Sequence, residues 1–596
     1  MLKSPLVASL FVFLFTSLLA GCSTAPLGNK PVPIEPEGSS GYTEKNGWMA
    51  QRFMVAAANP LAVDAGYHML KAGGSALDAA IATQMVLGLV EPQSSGIGGG
   101  AFMLYFDGAK IDAFDGRETA PASANETLFL SPDGKAMPFH EAVVGGRSVG
   151  VPGVLRMLAL AHKQYGKLPW HVLFEPAIKL ARDGFALSPR LAILLESETY
   201  LKTDPVAAAY FYDAQGKSRP VGYLLKNPAL AATLQKIATE GVDAFYTGKI
   251  AQDIARKVTQ HPTNPGGLTV QDLAGYQAKT RTAICSDYRV WTVCGMPPPS
   301  SGGIAIAQIL GILETKDMRA LAPVDGVLDP EAVHLFTEAG RLAYADRNRY
   351  IADTDFVPLP EGGLRALLDK KYLAQRAALI GDQSMGRARA GMPFRQQLAW
   401  GTDTSPELPS TSHISIVDGD GHALAMTTTI ENGFGSRQMV GGFLLNNELT
   451  DFSAEAVDAD GPIANRVQGG KRPRSSMSPT LVFEKGSKKL VLSVGSPGGS
   501  AIINYVSKTL IGMMDWGLNV QEAINLPNIG SRNGPTELEQ GRVPDTLIRQ
   551  LKAKGHEVQI MEQTSGLHGI MRLSVHGEDV WFGAADPRRE GIAKGD

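Results

Sequence analysis

Thr411 opens a strand-like run, and a hydroxyl in that place can do acyl chemistry once a base stands beside it. The stretch is Pro409-Ser410-Thr411-Ser412-His413-Ile414-Ser415-Ile416-Val417-Asp418. A polar approach ends at Thr411, and His413, Ser415 and Val417 then alternate with Ile414, Ile416 and Asp418. A Gly-Asp-Gly turn and a second run, residues 422–430, complete the pattern of a β-hairpin. An ordinary strand start would explain the Thr equally well, since Thr is common in strands. A second chemical feature lies downstream. Gly495-Ser-Pro-Gly498-Gly499-Ser500 follows a strand at 489–494 and precedes a helix predicted from about 501 to 515. That order gathers backbone N–H groups and a positive helix end at one spot. Without a Gly-Lys-Ser/Thr ending it is a poor nucleotide site, but it suits an oxyanion.

Other elements must position these groups. Residues 60–72 are helical in pattern and stop at Gly73-Gly74. Ser75 and Asp78 form a capping box for a helix over 76–90. Glu91-Pro-Gln-Ser-Ser-Gly-Ile-Gly-Gly-Gly100 leads into a strand, not a helix, which argues for close backbone packing rather than phosphate binding. Arg117 falls on a turn beside a strand end, where a surface salt bridge is the commonest role. Helical periodicity dominates 150–280 and returns at 305–314, 331–349 and 363–380, the first of these after the rigid turn Met296-Pro-Pro-Pro-Ser-Ser-Gly-Gly-Ile304. Residues 383–410 read as a long exposed loop, unusual unless functional.

The 596 residues are 44% hydrophobic and 19% charged, with a net charge of -3. A sizeable core is expected, and nucleic acid is an improbable partner. Residues 1–22 read as a targeting segment: Lys3, an apolar run from Leu6 to Leu19, then Leu19-Ala20-Gly21-Cys22. That ending resembles a bacterial lipobox, which would make Cys22 the lipidated N-terminus. Ser23 resembles an outer-membrane retention signal, so the expected location is the periplasm, with a lipid anchor as the only membrane contact. Residues 23–47 have the composition of a tether. Cys285 and Cys294 bracket a short hairpin pattern, and an exported compartment favours a disulfide over two buried thiols. No cofactor and no metal are expected, because tight His/Cys/carboxylate spacing is lacking.

Taken together, Thr411-Ser-His-Ile-Ser-Ile-Val-Asp, Lys471-Arg-Pro-x-Ser-Ser-Met-Ser-Pro-Thr480, Gly-Ser-Pro-Gly-Gly-Ser, Met-Pro-Pro-Pro-Ser-Ser-Gly-Gly, Gly-Ile-Gly-Gly-Gly and Ala585-Asp586-Pro587-Arg588 resemble the γ-glutamyltransferase (glutathione hydrolase) family over about 48–590. The resemblance implies an α+β fold, the αββα sandwich of N-terminal nucleophile hydrolases. It implies a precursor that cuts itself between Ser410 and Thr411 into intertwined subunits, a large one ending at 410 (its body from 48) and a small one of 411–596. Thr411 would be the nucleophile and its freed amine the base. Thr429 would hydrogen-bond that nucleophile, and Gly498 and Gly499 would form the oxyanion hole. Arg117, Ser475 and Ser476 fall on the carboxylate-binding positions of the family, Glu448 and Asp451 on its amine-binding positions. The partner implied is a glutathione-like γ-glutamyl compound, its acyl group passing to water or to an amine.

Two departures from the family pattern affect specificity. Glu431 stands where many members carry Asn, adding a carboxylate beside the substrate's α-groups. The segment of about 454–470, which resembles a lid, is short and lacks the lid Tyr. The alternatives are a glutaryl- or cephalosporin-type acylase on the same scaffold and a non-catalytic peptide-binding lipoprotein. The carboxylates argue against the first, and the intact Thr411, Thr429 and Gly-Gly set argues against the second.

Overall fold

The computed structural model describes residues 38–359, 362–394, 399–405, 408 and 410–596. The targeting segment, Cys22 and residues 23–37 of the expected tether lie outside the described residues. Residues 38–47 have no regular structure but are docked. The Thr43 amide donates to Pro587 O at 2.8 Å, and Lys45 Nζ donates to the carbonyls of Asp586 and Arg589 at 2.8 and 2.7 Å.

Two seven-stranded sheets face each other among the described residues. In chain order their strands are β1 (Trp48–Ala50), β2 (Met54–Ala57), β3 (Gly100–Phe106), β4 (Ile111–Gly116), β5 (Lys279–Thr282), β6 (Ile284–Tyr288), β7 (Trp291–Gly295), β8 (Ser412–Val417), β9 (Ala423–Thr429), β10 (Thr480–Glu484), β11 (Leu490–Gly495), β12 (His568–Val575), β13 (Glu578–Ala585) and β14 (Ile592–Gly595). The first sheet runs β14-β2-β8-β9-β3-β4-β5 and the second β1-β13-β12-β11-β10-β7-β6.

Each sheet has a helical layer on its outer face. Helices α1 (Pro60–Lys71) and α2 (Ala76–Val90) cover the first sheet, packing Ala62, Ile81 and Val86 against Val55, Met103, Ile414 and Met426. The Ser75–Asp78 capping box starts α2 as expected. Its face is apolar almost all round, the mark of a helix enclosed by protein. Helices α3 (Gly302–Leu313), α4 (Pro330–Tyr350) and α5 (Ile502–Met514) cover the second sheet through Ile309, Leu342, Ile503 and Leu510. The space between the sheets is filled by Ala56, Phe102, Leu104 and Ala425 on one side and residues such as Leu481, Phe483 and Ile570 on the other. Strands buried on both faces read as nearly continuous apolar runs, as in β3 (Gly-Ala-Phe-Met-Leu-Tyr-Phe). The architecture is the expected αββα sandwich.

The predicted β-hairpin is β8–β9, with Ser412 opposite Thr428. It sits in the middle of the first sheet, pairing with β2 on one side and β3 on the other. Both sheets therefore contain strands from before and after residue 410. Cys285 and Cys294 oppose each other across β6 and β7 and are joined by a disulfide. Among the described residues no helix is long and apolar enough to cross a membrane.

Three readings change in detail. Helix α3 begins at Gly302, three residues before the expected start. The span 363–380 is two short helices, Gly363–Leu367 and Lys370–Ala377. The described residues of the 383–410 stretch are irregular as expected but not simply exposed. Asp403 is buried, accepts from Asn465 Nδ2 at 2.7 Å and pairs with Arg474 at 3.0 Å. A buried charge with two such partners anchors a loop that composition alone reads as solvated.

Candidate active site

Thr411 sits just before β8, and Thr429 ends β9, so the hairpin register sets them side by side. A small cavity of about 20 Å³ is lined by Arg117, Ser410, Thr411, Thr429, Glu431, Glu448, Asp451, Ser475, Ser476 and Gly499 together with Leu408, Met477 and Ile502. Of the predicted substrate and catalytic residues, only Gly498 is not on that wall. It precedes Gly499 at φ +133°, a conformation open to glycine, and leads into the short turn before α5. The cavity has room for about one water molecule. The chain just ahead of Thr411, through Leu408 and Ser410, supplies part of its wall.

Close approaches hold the two strands in place. Gly99 packs on the Thr429 carbonyl, where a Cβ would come within 2.1 Å of the oxygen, so the Gly-rich run is indeed a packing device. His413 lies over Gly495, where a Cβ would sit 2.3 Å from the ring. The imidazole is fixed by Thr427 Oγ1 at 2.9 Å and Ser415 Oγ at 3.0 Å, and burial holds its pKa well below the usual value. It is a neutral spacer between the Thr411 strand and the strand feeding Gly498.

Thr429 differs from expectation. Its hydroxyl donates to the carbonyl of Ser410 at 2.7 Å, not to Thr411 itself. The reason is the intact Ser410–Thr411 peptide, whose oxygen lies in the register position facing Thr429. The Glu431 amide donates to Thr429 Oγ1 at 2.8 Å, which leaves the hydroxyl hydrogen for that carbonyl. Ser410 Oγ in turn donates to Gln93 O at 2.6 Å.

The charged wall is a buried cluster. Arg117 is fully buried, not on the surface. It reaches Glu448, and its Nη2 meets Asp451 Oδ2 at 2.5 Å. Further donations to Pro473 O (3.1 Å) and Arg474 O (2.7 Å) tie it to the loop that carries Ser475 and Ser476. The carboxylate and amine positions are thus one network. Glu118, which the sequence reading left without a role, is buried 4.0 Å from Arg117. Burial and the neighbouring Glu448 push its carboxyl well above the ordinary range. Glu431 is raised likewise, by burial first and then by Asp451 and Glu448. It takes a left-handed backbone, φ +75°, accepts from Asn447, and leaves Oε1 buried without a hydrogen-bond partner. Arg117 thus faces Glu118, Glu448 and Asp451, Glu431 lies on the same cavity wall, and a cation entering among them would lower the raised carboxyls of Glu118 and Glu431. Asn447, Gln93 and Arg347, which donates to Ser476 Oγ at 2.6 Å, were also not singled out by sequence. Nothing in their spacing marks them. Two clusters outside the cavity, His334/Glu338/His556 and Asp418/Asp420/His422, have metal-ligand residue types. In the first, His334 and His556 bond each other at 2.8 Å, and Thr536 and Gly381 O occupy their other nitrogens.

A buried threonine leading a central strand, an αββα sandwich and a Gly-Gly turn at a helix N-terminus define the N-terminal nucleophile hydrolase class. Comparison with known proteins narrows this. The γ-glutamyltranspeptidase family model matches residues 62–596, and the chain belongs to that family. It is 39% identical over 552 residues to the glutathione hydrolase proenzyme of Escherichia coli (strain K12), covering 90% of this chain and 91% of that one. It is 38% identical over 554 residues to the glutathione hydrolase proenzyme of Bacillus subtilis (strain 168), covering 91% of each. Among solved structures, a cephalosporin acylase from Bacillus halodurans superposes with a TM-score of 0.79 at 26% identity, over 95% of this chain and 99% of that one.

Two outcomes follow from this geometry. Thr429→Val should slow chain cleavage by about 100-fold, the cost of one oxyanion donor, in a time course of the two fragments. L-Glutamate binding to the processed protein at pH 7 should release protons, because its ammonium lowers the raised carboxyl pKa values. Titration calorimetry in buffers of different ionisation enthalpy should show that release diminished in Glu431→Gln.

Proposed function

We propose that this chain is a self-processing γ-glutamyltransferase and glutathione hydrolase. The observation that carries the reading is that Thr411 and the Arg117–Glu448–Asp451–Glu431 network share one cavity wall. A γ-glutamyl group offers a carbonyl to the first and an α-ammonium to the second.

Processing comes first. Thr411 Oγ attacks the Ser410 carbonyl carbon, and the developing oxyanion lies at the Thr429 hydroxyl. The C–N bond breaks, the Thr411 nitrogen keeps its electrons and takes up the proton released from Thr411 Oγ to become an α-amine, and water hydrolyses the resulting ester. Departure of the 408–410 segment enlarges the cavity. The new amine, with a pKa near 7.7–8.0, is a suitable base for the same hydroxyl. In turnover it takes the Thr411 proton as Oγ attacks the γ-carbonyl, and returns it to the leaving amine. The Gly498 and Gly499 N–H groups hold the oxyanion. Arg117, Ser475 and Ser476 bind the α-carboxylate, and Glu431, Glu448 and Asp451 the α-ammonium. The acyl-Thr411 ester then goes to water or to an amino acid or peptide amine. No cofactor or metal takes part in this scheme.

The acylase neighbour raises a glutaryl-type donor as the second reading. A glutaryl group keeps the terminal carboxylate but has no ammonium, and would leave Glu431, Glu448 and Asp451 facing a chain with no positive charge. Intact mass and N-terminal sequencing should show two chains, the smaller beginning at Thr411, and one uncut chain for Thr411→Ala. The processed enzyme should prefer a γ-glutamyl over a glutaryl anilide by at least about tenfold in kcat/KM, since losing a charge-assisted contact costs about 1.5–3 kcal/mol. The opposite preference would make it an acylase.

The mature protein is exported and held at the periplasmic outer membrane by lipid on Cys22. The Cys285–Cys294 disulfide supports an oxidising compartment. Labelled palmitate should enter the protein and be lost in Cys22→Ser.

A further inference from the structure

The Met296–Ile304 turn has no part in the chemistry above, yet it grips the loop that carries two of the proposed binding hydroxyls. Ser475 N donates to Pro299 O at 3.0 Å, and the Ser301 amide donates to Ser475 O at 2.7 Å. Ser301 Oγ donates to the same carbonyl at 2.7 Å, and Ser300 Oγ to Met477 O at 2.7 Å. The loop is therefore held on both sides of Ser476.

Arg347 completes this cradle from the last turn of α4 and is buried. Its Nε donates to Ser301 Oγ at 2.9 Å and its Nη2 to Ser476 Oγ at 2.6 Å. Its Nη1 donates to Asn348 Oδ1 at 2.7 Å, and its guanidinium lies 5.5 Å from the centre of the Tyr344 ring. A guanidinium carries only donors, so Ser476 Oγ is the acceptor in this bond. The Ser476 hydrogen must then serve some other acceptor. Ser476 lines the cavity with Thr411, and Arg347 lines the adjoining cleft of about 1200 Å³. A hydroxyl forced to donate, and polarised by the cation behind it, suits an anion.

We propose that Arg347 is a positioning residue for the donor's α-carboxylate. Through its bond to Ser476 Oγ it makes that hydroxyl an obligatory donor, and through Ser301 it fixes the loop on the Pro297–Ser301 turn. The inference rests on the assignment of Ser476 to the α-carboxylate and adds the residue that imposes the direction of its hydrogen bond.

The test compares γ-glutamyl p-nitroanilide with 4-aminobutyryl p-nitroanilide, which lacks only the α-carboxylate. Ser476→Ala should lower kcat/KM for the first about 10- to 100-fold and leave the second nearly unchanged. Arg347→Gln should show the same selectivity, mostly through KM, and Arg347→Lys should recover part of the loss. The double variant should be little worse than either single one, because Arg347 acts through Ser476. Equal losses on both anilides, or losses that multiply in the double variant, would overturn the proposal. If Ser476→Ala does not discriminate, the Ser476 assignment itself fails, and that result is read separately. Ser301→Ala removes the second anchor of the guanidinium more gently. Should Arg347→Gln fail to cleave into two chains, Ser301→Ala must show a smaller loss with the same selectivity, and a loss without selectivity refutes the role.

Discussion

Arg117 is buried against Glu118, Glu448 and Asp451, with Glu431 on the same cavity wall, and the site depends on that crowding of acids around the guanidinium. Removing one partner from a buried charge cluster typically costs about 3–5 kcal/mol, so the guanidinium is structural as well as functional. It also donates to the carbonyls of Pro473 and Arg474, which ties the charge cluster to the serine loop. Burial and the neighbouring carboxyl groups raise Glu118 and Glu431 well above the ordinary range, and an entering positive group would lower them. A zwitterionic α-amino acid head group complements such a pocket better than any purely acidic acyl chain, because its ammonium can pair with those carboxyl groups and its carboxylate can meet the serine hydroxyls.

The position of the hairpin makes self-cleavage compatible with a folded product. Strand β8 lies between β2 and β9, and β14 closes the same sheet beside β2. Breaking the Ser410–Thr411 bond removes no strand from either sheet. Every β-ladder and both helical layers of the described residues would persist, holding the two pieces as one folded unit. The bond lies at the end of a central strand, where a carbonyl is held by Thr429 and a hydroxyl by Gln93 O. Before cleavage Leu408 and Ser410 wall a cavity of about 20 Å³, too small for a γ-glutamyl group. In the proposed scheme, cleavage at this bond would create the base and the space in one event.

Much of the fold was legible because burial on both faces of a sheet writes itself into composition. The apolar runs of β3 and β9, the Ser75–Asp78 box and the Gly-Gly ends of elements all fell where expected. The opposition of Cys285 and Cys294 followed from a hairpin only a few residues long. The loop at 383–410 was less legible, because the anchor of Asp403 is Arg474, far along the chain. Glu118 and Arg347 escaped notice for the same reason: one is a common residue beside an Arg, the other an Arg near the end of a long helix.

The sequence by itself determined which side chains are present, where the strands and helices run, and that a threonine leads a strand ahead of a Gly-Gly turn and a helix. These are local properties, carried by periodicity, caps and short motifs. Only the tertiary structure decided that Arg117 binds the very carboxylates assigned to the substrate amine, that Thr429 holds the Ser410 carbonyl in the uncut chain, and that Arg347 reaches Ser476. Each of these is a contact between segments far apart in sequence. Their partners are chosen by how two sheets and two helical layers close on one another, and that closure leaves no periodic mark on the chain.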